Sequence, residues 1–178
     1  MRAAGRNVML DHATEMSVDG GGGVRLLGYH SRNQEGERGL VLLIHGWEGS
    51  SESTYIVSTG RYLYDRGFDI FRLNLRDHGK SHHLNEGLFH GALIEETLHA
   101  AVEVSLLTDR SFFIVGFSMG GNFALRLALR APRAGMSNLR EVVCISPSLD
   151  PHKATLSIDR IPLYRHYFLR KYVPWQEA

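Results

Sequence analysis

Residues 111–131 read SFFIVGFSMGGNFALRLALRA. Ser111 to Val115 is a short apolar run, the length of one buried strand. Gly116-Phe117-Ser118-Met119-Gly120 follows, and apolar residues then recur at helical spacing, with Ala124, Leu127 and Ala128 on one face. The helix stops at Ala131, because Pro132 disfavours helical backbone in the residue before it. Strand, glycine-flanked serine and helix in that order make G-x-S-x-G a sharp turn that presents a nucleophile, where the bare pattern would be an ordinary small-residue turn. A strand passing straight into a helix strains the serine backbone, and Gly116, Gly120 and Gly121 give clearance because they lack Cβ atoms. The helix N-terminus brings its dipole and free N–H groups beside the Ser118 hydroxyl, with the Met119 N–H facing an oxygen that gains negative charge. Ser118 is the candidate nucleophile and Met119 a candidate oxyanion donor.

Working outward, the segments before this stretch alternate in type. His12 to Val18 and Val24 to His30 read as a hairpin around Asp19-Gly20-Gly21-Gly22-Gly23, whose glycines tolerate positive φ. No G-x-G-x-x-G register fits that run and no helix follows it, which excludes a dinucleotide fingerprint. Asn33 to Gly39 is a polar loop. Leu40-Val41-Leu42-Leu43-Ile44 is continuously apolar, as expected of a strand covered on both faces. His45-Gly46-Trp47-Glu48-Gly49 comes next, and Ser50, Ser51 and Ser53 offer N-caps for a helix to about Arg66, with Gly67 as its stop. Phe68 to Leu75 makes the next strand, ending in the turn Arg76-Asp77-His78-Gly79-Lys80-Ser81. That Gly-Lys-Ser is not a P-loop, since the pattern needs glycine where Asn74 stands. Leu93 to Leu107 is helical with Ile94, Leu98, Ala101, Val102 and Ser105 along one face, and Arg140 to Ser146 is read as a further buried strand. The expected fold is α/β: a mostly parallel central sheet with helices on both faces and antiparallel opening strands.

Bulk properties narrow the function classes. One domain's worth of chain, 178 residues with 20 basic and 19 acidic side chains, carries no global field for nucleic acid or an anionic membrane. Arg165, Arg170 and Lys171 form a modest cluster, read as a solvated face. Cys144 is the one cysteine and reads as a buried strand thiol, so no internal disulfide forms. The opening MRAAGRNVMLDHATEM has no apolar signal core and no run reaches membrane-spanning length, so a soluble cytoplasmic protein is expected. His78, His82, His83 and His90 lack the spacing and carboxylate or thiolate company of a metal site; no metal is expected.

Three motifs now stand in order after successive strands: His45-Gly46-Trp47-Glu48-Gly49, Arg76-Asp77-His78-Gly79-Lys80-Ser81 and Gly116-Phe117-Ser118-Met119-Gly120-Gly121. Together they resemble the α/β-hydrolase superfamily. The wording HGWEGSSESTY and LNLRDHGKS is most similar to its bacterial esterase branch, related to yeast medium-chain acyl-ester synthases. The resemblance spans most of residues 12 to 155. It implies that Ser118 is the nucleophile and that the Trp47 N–H is the second oxyanion donor beside Met119. It also implies a supporting role for His45 and Gly46 in the oxyanion loop, rather than His45 as base, and turn-stabilising roles for Asp77 and His78.

The same resemblance implies residues 1–146 as the N-terminal part of the hydrolase core and 147–178, with Tyr164, Tyr167, Phe168, Tyr172 and Trp175, as the start of a lid. The family's acid and histidine follow later strands, so the chain is expected to be truncated before them, with acid and base unknown and activity impaired. Asp150, His152, Asp159 and His166 read as lid or surface residues rather than a rebuilt triad. The implied activity is hydrolysis of a small-molecule ester or acyl substrate through an acyl-serine, without cofactor. Acyl transfer to an alcohol and an inactive binding module are the alternatives. A sheet ending at Arg140 to Ser146 would leave an unpaired edge, which predicts self-association through it.

Overall fold

The structure, a computed structural model, describes residues 7–34 and 36–176; for residue 168 and residues 171–176 it describes the backbone alone. Two compact units divide the chain, Met1–Pro147 and Ser148–Ala178. In the first, α1 (Val8–Asp11) precedes the hairpin β1 (Ala13–Gly21) and β2 (Val24–Ser31). Then come β3 (Leu40–Ile44), α2 (Thr54–Tyr64), β4 (Asp69–Leu73), α3 (Ile94–Ser105), β5 (Phe112–Phe117), α4 (Met119–Arg130) and β6 (Leu139–Ile145). The six strands lie in the order β1-β2-β4-β3-β5-β6. β1/β2 and β2/β4 are antiparallel, whereas β3/β4, β3/β5 and β5/β6 are parallel. This is the mostly parallel α/β sheet that the alternating pattern predicts.

Strand β3 shows why its apolar run is unbroken. Leu40, Leu42 and Ile44 point into one core with Phe71, Ile114, Phe123 and Leu127, on the side of α3 and α4. Val41 and Leu43 point the other way, packing with Met9, Ile56 and Tyr64 of α1 and α2. Successive side chains of a strand face opposite sides, so a strand with helices on both sides needs every residue apolar. Full burial of each such side chain contributes roughly 1.5–3 kcal/mol.

Several local expectations are corrected. β6 is not a buried strand: Val143 is 47% and Ile145 41% exposed. Among the described residues β6 pairs only with β5, and α4 covers the side that carries Val142 and Cys144. Cys144 is therefore half-buried, and that partial desolvation raises its thiol pKa. The buried side of α3 is broader than the expected stripe, taking in Thr97, Ala100 and Val104 while Leu98 and Val102 are half-buried. Glu96 is buried there as well, because Arg76 clasps its carboxylate at 2.6 and 2.9 Å. The hairpin turn shortens to Gly22 and Gly23, α2 ends at Tyr64, and α1 carries no periodic signal in so short a segment.

The second unit holds α5 (Pro151–Arg160) and α6 (Pro162–Gln176). Asp150 is an N-cap: its carboxylate accepts from the Lys153 N–H at 3.0 Å, and Pro151 opens the helix. That backbone hydrogen bond is the main cause of its lowered pKa. Arg165 and Arg170 are exposed; the side chains of Lys171, Tyr172, Trp175 and Phe168 lie outside those described. No helix among the described residues is long and apolar enough to cross a membrane.

Candidate active site

At the junction of β5 and α4, Ser118 has φ 52° and ψ −113°. A non-glycine residue there is strained, and such strain persists only where surrounding structure holds it. Two restraints are visible. The Ser118 N–H donates to the Ile145 carbonyl at 2.9 Å, tying the turn to the end of β6, and the Asn122 N–H donates to the Ser118 carbonyl at 3.1 Å, starting α4. The side chain is left exposed at the N-terminus of α4 and makes no capping bond to it.

The glycines are required by contacts more distant than the turn itself. A Cβ on Gly120 would lie 2.3 Å from the His45 carbonyl oxygen and 2.4 Å from that of Ile44. The first turn of α4 therefore rests directly on the backbone at the end of β3. A Cβ on Gly116 would sit 2.2 Å from the Gly120 carbonyl oxygen. Gly121 is tight against Pro147, at 3.1 Å for its notional Cβ. The same closeness brings the loop after β3 to Ser118: a Cβ on Gly46 would be 3.2 Å from Ser118 Cβ. Trp47 is the next residue in that loop, half-buried, followed by Glu48 at φ 60°.

His45 is fully buried, with both ring nitrogens bound to backbone. The Leu75 N–H donates to Nε2 at 3.1 Å, so Nε2 carries no proton, and Nδ1–H donates to the Gly46 carbonyl at 2.7 Å. Burial, with His78 beside it, pushes its pKa down to about 3. A neutral imidazole thus clamps the Gly46 peptide against the end of β4. His78 is buried as well, its Nδ1 bonded to the Arg76 carbonyl at 2.7 Å and its ring centred 4.8 Å from that of His45. Burial lowers its pKa in the same direction. Asp77, at φ 58°, holds Nδ1 of exposed His82 at 2.6 Å. His83 and His90 are exposed. Among the described residues no group of three or more His, Cys, Asp or Glu is placed to share a metal ion.

Three residues around the site escape the sequence reading. The Tyr55 hydroxyl accepts the Gly46 N–H at 3.1 Å, and its ring packs on Phe117 at 4.9 Å. Asn74 Oδ1 accepts the Ser51 N–H at 2.8 Å, and Arg72 donates to the Ser51 carbonyl at 2.7 Å. These bonds pin the 46–53 loop at Gly46, from the helix that follows it, and at Ser51, from β4 and the residue after it. Only the place of Tyr55 in the first turn of the helix after that loop hints at its role.

A model of the alpha/beta hydrolase fold matches residues 39–177. The chain belongs to that family. This α/β hydrolase is 32% identical over 94 residues to a Saccharomyces cerevisiae protein named "Probable alcohol acetyltransferase", a match covering 52% of this chain and 27% of that protein. It is 28% identical over 115 residues to a Synechocystis protein that carries an esterase name, covering 61% and 30%. Against a solved esterase structure from Pyrococcus furiosus it superposes with a TM-score of 0.73 at 19% identity, over 97% of this chain and 69% of that one. The α/β-hydrolase chain thus spans about a third or less of these two curated relatives.

Proposed function

We propose that this α/β-hydrolase chain provides the nucleophile and the oxyanion donors for opening carboxylic esters through an acyl-serine intermediate. The observation that supports this most is Ser118: exposed, strained at φ 52°, and set on the N-terminus of α4. Its Oγ adds to the ester carbonyl, the proton goes to a base, and the alkoxide departs as alcohol once protonated. The N–H groups of Met119 and Trp47 hold the oxyanion; one such donor is worth roughly 3–4 kcal/mol of transition-state stabilisation. His45 is a positioning residue, since both of its nitrogens are spent on Gly46 and Leu75. Gly46, Gly116, Gly120 and Gly121 allow the close packing that brings loop and elbow together.

The base and acid are unassigned. Among the described residues of the Met1–Pro147 unit no side chain hydrogen-bonds the Ser118 hydroxyl, and a serine without a base is a weak nucleophile. Weak turnover by the chain itself is the consequence, although an oxyanion site alone retains ~10³ over water in studied proteases. Residues 147–178 are read as the start of a cap. A second reading, transfer of the acyl group to an alcohol, is favoured by the name of the yeast relative; it shares the acyl-serine and differs in what accepts the acyl group. The substrate in either case is a small-molecule ester or acyl compound.

The test is labelling by a fluorophosphonate probe, with Ser118→Ala alongside. Labelling of the wild type that vanishes in the variant supports an activated serine; product analysis with an alcohol acceptor then separates hydrolysis from transfer. A folded chain that takes up no probe sinks the enzymatic reading for this chain and leaves a binding module.

A further inference from the structure

We propose that the Tyr55 hydroxyl is a third donor to the oxyanion formed at Ser118, beside the N–H groups of Trp47 and Met119. The inference rests on the acyl-serine reading above. Tyr55 stands in the first turn of α2, and its side chain reaches back to the loop that follows β3. The hydroxyl oxygen accepts the Gly46 N–H at 3.1 Å. A phenolic hydroxyl both accepts and donates, so this bond leaves its proton unspent. Among the described residues no acceptor takes that proton.

The position of the hydroxyl follows from the contacts of the loop. A notional Cβ on Gly46 lies 3.7 Å from the Tyr55 oxygen and 3.2 Å from Ser118 Cβ, so both groups border the same small space. Both residues also reach solvent, Tyr55 with 39% of its surface. A notional Cβ on Gly49 would lie 2.4 Å from the same oxygen, which shows how closely the 46–49 loop wraps the hydroxyl. At the other end the ring packs on Phe117, the residue before Ser118, with centroids 4.9 Å apart. The donor is thus fixed before any charge develops, the condition under which a hydrogen bond to an oxyanion contributes most. When Ser118 Oγ adds to the ester carbonyl, the π pair moves onto the carbonyl oxygen. Tyr55 donates a hydrogen bond to that oxygen and keeps its proton. The Gly46 N–H on the phenol oxygen polarises the O–H and strengthens it as a donor.

The test is the rate at which the full chain is labelled by a fluorophosphonate probe, whose phosphoryl oxygen gains negative charge as Ser118 attacks phosphorus. Tyr55→Phe keeps the ring on Phe117 and removes the O–H. It is expected to lower the maximal labelling rate about tenfold or more, with the half-saturating probe concentration unchanged. Tyr55→Phe labelled as fast as the wild type overturns the role of Tyr55 and leaves the acyl-serine reading standing. A wild type that takes up no more probe than Ser118→Ala overturns that reading and this inference with it. Because Phe also removes the acceptor for the Gly46 N–H, Tyr55→Ala is labelled with added phenol and with added anisole. Anisole offers the ring and an acceptor oxygen but no O–H. Phenol is expected to raise the rate and anisole to leave it low. Phenol restoring no more than anisole overturns the donor role and leaves Tyr55 as a support of the loop.

Discussion

β3 and β6 are both parallel strands of five to seven residues rich in Val, Leu and Ile, yet their surroundings differ. β3 runs between β4 and β5 with every residue buried between α2 on one side and α3 and α4 on the other. β6 borders β5, packs one side on α4, and leaves Val143 and Ile145 substantially exposed. The lesson is that apolarity of a strand reports what it can bury; its place in the sheet decides what it does bury. The two strands also divide the site between them. The end of β3 carries the clamp at His45 and the floor under Gly120, while the end of β6 accepts the Ser118 N–H.

The largest expected contrast is in stability. Leu42→Ala should cost about 3 kcal/mol, since it opens a cavity between fully buried neighbours, and Val143→Ala about 0.5 kcal/mol. Urea unfolding of the two variants gives the comparison directly; equal losses would mean that β6 is as well covered as β3.

Titration probes the end of β3, where His45 is buried. Folded His45 stays neutral down to about pH 3, whereas the unfolded chain takes up a proton near pH 6.5. Between those values the unfolded state binds more protons, so stability falls as pH is lowered, at about 1.4 kcal/mol per pH unit for one such group. Burial of His30 and His78 lowers their pKa values too and steepens the loss. Unfolding midpoints from pH 7 to pH 5 should show the slope, and His45→Asn should reduce it. A slope unaltered by that variant would remove His45 from the account.

The smallest effect on stability, within about 0.5 kcal/mol, is expected from Ile145→Lys on the exposed side of β6. If copies of the chain pair along this strand, as its open position allows, the variant should lower the mass seen by light scattering at high concentration. A wild-type chain that remains monomeric there breaks that part of the reading.

Much of this was legible beforehand. The apolar runs of β3 and β5, the helix after Ser118 and the hairpin are local patterns, and G-x-S-x-G between strand and helix marks the strained serine without any knowledge of its neighbours. What stayed hidden were pairings across sequence. Nothing at Leu75 announces that its N–H will select the His45 tautomer, and nothing at Tyr55 or Asn74 announces a bond to the 46–53 loop. Arg72 is equally silent: an arginine within a strand reads as solvated, and only the sheet order buries it beside Tyr29 and α2.

The amino-acid sequence alone determines the alternation of strands and helices, the class of fold and the place of the strained serine between strand and helix. These depend on spacings of two and 3.6 residues and on glycines a few positions apart. The tertiary structure decides which apolar strand is central, why Gly120 must be glycine, and where a buried guanidinium meets a helix end. Each of those is a contact between segments 20 to 80 residues apart, and the energy of such a contact belongs to the packed sheet, not to either segment.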